Sequence, residues 1–171
     1  MEAPASDKRH RTEIDAEPPM RRDRFEQEAA LAYRIDLDGS ARRHLRAAQE
    51  LCQTTAAGAQ PGSKAVGGYL FGIAGELAVK HMMRSSGMKP QPASKRRDDP
   101  FFAHFPQLKT FLSRCAQGRR AEKLRKIADN IALFQYWDTH MRYAPTADLK
   151  PGWIAAWRTS AEALVAEMDI L

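Results

Sequence analysis

The chain has 171 residues, 43% of them hydrophobic, which is enough for one domain with a real core. Its formal net charge of +6 fits a nucleic-acid or phosphate partner and equally a basic protein with none. Cys52 and Cys115 are too few and too far apart for a disulfide framework, and no C-x-x-C spacing exists for zinc. Buried free thiols in a reducing cytoplasm are therefore expected, with no metal and no cofactor. MEAPASDKRH has no apolar h-region, so no secretory leader is expected there.

Residues 1–23 mix both signs of charge with Pro4, Pro18 and Pro19, and read as a disordered leader ahead of a single domain over 24–171. Residues 24–34, RFEQEAALAYR, have partial helical spacing and suit a short docking helix. Asp38 and Gly39 make a turn, with Ser40 as N-cap of a helix over 41–57. That helix turns Leu45, Ala48 and Leu51 or Cys52 inward, and Arg42, Arg43 and Arg46 outward. Gly58 to Gly62 break it, and Ser63 can cap the next helix.

That second helix holds the most informative stretch, GYLFGIAGELAVKHMM at 68–83. Val66, Tyr69, Leu70, Ile73, Leu77 and His81 recur at helical spacing, with Gly68, Gly72, Ala74, Gly75 and Ala78 on the other faces. Such a helix is too apolar for a surface, and Glu76 and Lys80 make it too charged to cross a membrane. The two lie one turn apart and can pair. On so apolar a helix they must be desolvated, either as an ion pair that fixes packing or as the polar floor of a pocket or seam.

The helix is expected to end near Ser86, at Gly87. Residues 87–103 place Pro90, Pro92 and Pro100 around KRRDD and read as a long loop. A third helix follows from His104 to Ala116, with Leu108, Phe111 and Leu112 as its buried side. The fourth is expected to be long, Arg119 to Met141, with a stripe of Leu124, Ile127, Ala128, Ile131, Phe134 and Met141. A loop over 143–152 leads to a fifth helix, Trp153 to Met168, anchored by Trp153 and Trp157. With no strand or repeat, the expectation is an all-α, antiparallel up-and-down bundle of about five helices.

Three groups of residues carry chemistry. Trp137, His140, Arg142 and Tyr143 put an arginine beside aromatics, which suits stacking on a base and binding its phosphate. The same pattern fits an arginine packed on tryptophan and tied to Asp138. Arg119, Arg120 and Lys123, with Arg114, Arg125 and Lys126, form either a solvated helix face or a phosphate-backbone patch, which Arg42, Arg43 and Arg46 extend if the first and fourth helices adjoin. His104 is a helix-start residue bonded to neighbouring backbone, or a proton acceptor.

Order and spacing together carry a resemblance. ARRHLRAA at 41–48 precedes GYLFGIAGELAVK at 68–80; then come His104, Leu108 and Leu112, and last a segment ending WDTHMRYAP at 137–145. Over about residues 40–168 this resembles the HEPN superfamily of prokaryotic helical domains. The family includes metal-independent ribonucleases, toxins paired with nucleotidyltransferase antitoxins, and non-catalytic RNA- or nucleotide-binding members. The resemblance implies a homodimer binding RNA or a nucleotide in the cytoplasm, without a membrane, and an antitoxin or nucleotidyltransferase as partner. It leaves open whether the chain cleaves RNA; if it does, Arg142 would hold the phosphate, with His140 or His104 as base. Nuclease members place a histidine after an arginine with four to six residues between them, whereas here His140 precedes Arg142. Arg97, Asp98 and His104 fit that spacing, but across a proline-containing loop, and are read as coincidence. The alternatives are a non-catalytic dimerisation or interaction module, and a small-molecule site at Glu76 and Lys80.

Overall fold

A computed structural model of the chain describes residues 34–53 and 63–170. The expected leader over 1–23, nearly all of the docking segment, and the end and break of the first helix at 54–62 lie outside the described residues. Within them are five α-helices and no strand: α1 (Leu37–Gln53), α2 (Ser63–Ser85), α3 (Gln107–Cys115), α4 (Glu122–Asp129) and α5 (Pro151–Glu167). Short 3₁₀ segments punctuate the connections at Ala93–Asp98, Arg119–Ala121, Thr139–Tyr143 and Thr146–Asp148. The helices form an antiparallel up-and-down bundle in which α1 and α5 pack on α2 and α3 pairs with α4.

Helix α1 starts earlier than Ser40 because Asp36 is the better cap. Its Oδ1 accepts the Gly39 N–H at 2.9 Å, satisfying one of the free donors of the first turn. Asp38, Gly39 and Ser40 are therefore helical, not a turn. The outward arginines are already engaged: Arg42 bridges Asp38 and Asp169, and Arg43 reaches Asp36 and Ser40. Since α1 packs chiefly on α2 and α5, these arginines do not extend the basic turns of α4.

Helix α2 is buried on nearly all sides, which is why its apolar residues do not confine themselves to one stripe. The small residues of its other faces are sockets. A methyl added at Gly72 would overlap the indole of Trp137, and one at Gly75 would overlap the ring of Phe134. Glycine at these two positions lets aromatic rings touch the helix backbone. Trp137 then donates its indole N–H to the Gly68 carbonyl at 3.2 Å and stacks on Tyr69, with centroids 5.9 Å apart.

The long fourth helix is not formed. It stops at Asp129, because Asn130 folds its side chain onto the chain ahead, with Oδ1 accepting the N–H groups of Ala132 and Leu133 at 3.1 and 3.2 Å. Lys109 of α3 clamps the same corner, donating to the carbonyls of Asn130 at 2.6 Å and Leu133 at 3.2 Å. Phe134 and Tyr136 then take positive φ values of 50° and 63°, which bulky side chains rarely adopt. Ring packing offsets that strain: Phe134 is buried and stacks on Phe105 at 4.9 Å, and Tyr136, although exposed, stacks on Trp153 at 4.7 Å. Ile131, expected on the buried stripe, is 87% exposed. Asn130→Ala is expected to lower stability by about 1 kcal/mol, read as a shifted urea midpoint with unchanged slope.

Candidate functional site

Glu76 is 2% exposed and Lys80 8% exposed, so α2 does carry a buried acid and base. The Lys80 ammonium lies 3.8 Å from Glu76 Oε2. The rest of the carboxylate is used by the segment that returns from α2 to α3. Oε1 accepts the Phe105 N–H at 2.7 Å, and Oε2 bonds Nδ1 of His104 at 2.8 Å. Burial pushes the Glu76 carboxyl above its ordinary range, against the pull of Lys80, His104 and the Phe105 N–H. Burial also pushes the Lys80 ammonium down, opposed by Glu76 and Asp99. Asp99 is fully buried and accepts N–H groups from Gln91 at 2.7 Å and Phe101 at 2.9 Å.

The His104 side chain is 48% exposed, although its Nδ1 edge is held by a buried carboxylate. When Glu76 is ionised it fixes the hydrogen on Nδ1, which leaves Nε2 as an acceptor on the solvent side. The ring opens into a concavity of about 240 Å³ that Arg96, Arg97, Phe102, Gln107 and Phe111 also line. Arg96 lays its guanidinium over the Phe102 ring, 4.1 Å from the centroid. The arginines stand on the 3₁₀ segment Ala93–Asp98, which Pro92 enters in an extended conformation. The Arg97–His104 spacing, read as coincidence in the sequence, thus describes two residues of one concavity. No sequence pattern links Glu76 to His104, since the pairing depends on how the loop returns across α2.

The other sequence-derived candidates lie elsewhere. Trp137 is buried in the core against α2, stacked on its Tyr69, and has no face free for a base, so its expected stacking role is withdrawn. Arg142, His140 and Tyr143 share the 3₁₀ segment Thr139–Tyr143, and none of them lines the His104 concavity. Arg142 sits 4.8 Å from the Tyr143 ring centroid and is held charged first by its hydrogen bond to Tyr69 and then by Tyr143. The His140 ring is in solvent, 3.6 Å from Asp138.

Arg119 and Lys123 line a wide groove between α4 and α5, of about 800 Å³. Much of its charge is answered within the protein. Lys123 bonds the Glu167 carbonyl at 3.1 Å, and Lys126 pairs with Glu122 at 2.9 Å. The Arg120 side chain lies outside the described residues. No helix among the described residues is long and apolar enough to cross a membrane. Comparison with models of protein families, with curated proteins and with solved structures returns no match to this chain.

Proposed function

We propose that this chain is a HEPN-like protein that binds RNA or a nucleotide in the concavity at His104, and that it cleaves RNA there without a metal. The observation that carries the reading is a buried carboxylate, Glu76, bonded at 2.8 Å to a half-exposed histidine beside two exposed arginines. His104 Nε2 would take the proton of a ribose 2′-hydroxyl. The 2′-oxygen would attack the adjacent phosphorus, and the P–O5′ bond would break to give a 2′,3′-cyclic phosphate. The protonated imidazole would return its proton to the leaving 5′-oxygen. Arg97 would hold the phosphate and offset charge as it develops. This moves the arginine role from Arg142 to Arg97. The expected long fourth helix lends the reading no support; the Glu76–His104 contact does.

The test is cleavage of single-stranded RNA by the pure protein in EDTA. His104→Ala is expected to lower the rate by about 10²- to 10⁴-fold, the usual worth of a positioned base, with the helical circular dichroism retained. Cleavage undiminished in His104→Ala would overturn the assignment. Exposed Ile131 and Ile170, the latter lining the α4–α5 groove, favour a second reading as a non-catalytic module that self-associates. A dimer in solution combined with no RNA cleavage or binding would establish that reading instead. A homodimer and an antitoxin or nucleotidyltransferase partner belong to the proposal as the resemblance implies them.

A further inference from the structure

The concavity at His104 is not isolated. Phe111, half-buried on α3, walls it on one side and walls a second hollow of about 350 Å³ on the other. That second hollow is lined by Lys89, Lys95 and Arg114, against a single exposed carboxylate, Asp98. Lys89 and Lys95 come from the segment after α2 and Arg114 from the last turn of α3, so the basic charge converges from two elements. Among the described residues Lys89, Lys95, Arg114 and Arg97 make no ion pair. The α4–α5 groove differs, because its lysines are matched by Glu167 and Glu122. Cations left uncompensated on both sides of one aromatic ring are the elements of a single-strand track: charge for successive phosphates and a π-face for an unpaired base.

We propose that Lys89, Lys95 and Arg114 form a second phosphate subsite, and that the ligand is a single-stranded polynucleotide crossing Phe111. One phosphate lies at Arg97 and His104, a neighbouring one lies in the second hollow, and a base rests on the Phe111 ring. This rests on the reading of the His104 concavity as a phosphate site. It goes beyond that reading by carrying the strand past His104 to a second phosphate and a stacked base outside that concavity. A duplex is excluded, because its bases offer no free face to Phe111.

The probe is a labelled, uncleavable 2′-O-methyl RNA hexanucleotide, followed by fluorescence anisotropy, with a nucleoside monophosphate as competitor. The wild type is expected to bind the hexamer at least about tenfold tighter than the monophosphate, the scale of one added stacking and phosphate interaction. The triple variant Lys89→Ala, Lys95→Ala, Arg114→Ala changes only exposed residues. It is expected to lose about that tenfold for the hexamer, to leave the monophosphate unaffected, and to flatten the salt dependence by roughly 0.7 for each phosphate no longer neutralised. Hexamer binding unchanged in the triple variant overturns the subsite, as does wild type binding hexamer no better than monophosphate or a duplex as well as the single strand. Arg97→Ala separates the two levels. If it leaves monophosphate binding intact, the His104 reading fails and the two-site crossing with it; if it abolishes that binding while the triple variant stays normal, only the second subsite fails.

Discussion

Replacing Glu76 with alanine is expected to lower stability by about 3–5 kcal/mol, because it strands the buried Lys80 charge without its close partner. The same change frees the Phe105 N–H and the Nδ1 edge of His104, so the return from α2 to α3 loses its attachment as well. Glu76→Gln should keep the Phe105 bond, since an amide oxygen still accepts, but it still leaves Lys80 unpaired. Glu76→Gln combined with Lys80→Met should recover most of the loss, because a buried pair replaced by neutral groups is often neutral or stabilising. Urea unfolding of wild type, Glu76→Gln, Lys80→Met and the combined variant forms a double-mutant cycle, and additive costs for the two single changes would show that the pair is not coupled. A pH signature accompanies this. Glu76 is raised in the fold, so its contribution is fully present below its unfolded value and fades as pH rises through the raised one. Lys80 is lowered, so its contribution is present above its unfolded value and is lost as pH falls through the depressed one. The stability difference between wild type and Glu76→Gln should accordingly shrink as pH is raised above the ordinary glutamate range.

Gly72→Ala is expected to cost roughly 3 kcal/mol, although alanine is the better helix former by about 1 kcal/mol. The added methyl would overlap the Trp137 indole, and that ring has little room to yield. It is held by its bond to the Gly68 carbonyl, by Tyr69 on one face, and by the edges of Phe105 and Phe134. Gly152→Ala supplies the contrast. It lies in the first turn of α5 with no atom within 4 Å of an added Cβ, and should gain about 0.5–1 kcal/mol. Thermal or urea unfolding reads both. A Gly72→Ala protein as stable as wild type would mean that Trp137 does not seat on α2 as described.

The helices were legible where local periodicity and burial agree. The low-polarity run at 68–83 forces α2 inward, and Trp157 with Leu164 and Val165 marks the inner face of α5. The fourth helix misled because its apolar stripe continues at helical spacing through Ile131 and Phe134 while the backbone does not. Asn130 gave the local hint, as a residue that binds its own backbone, but its effect depends on Lys109 arriving from α3. Of the candidate site, the buried character of Glu76 and Lys80 followed from their apolar neighbours. The partner of Glu76 did not, because His104 reaches it only through a tertiary fold-back. Trp137 looked like a recognition aromatic because Arg142 and Tyr143 follow it closely, whereas glycines far earlier in the chain make the space that takes it in.

Asp99 ties Gln91 and Phe101 to one carboxylate, drawing the intervening chain into a closed lariat whose knot is dry and whose rim is wet. Lys95, Arg96 and Arg97 all stand on that rim. Their side chains can therefore be exchanged without loosening the knot, so the charge and shape of the rim are free to drift by single substitutions while the scaffold beneath them stays as it is.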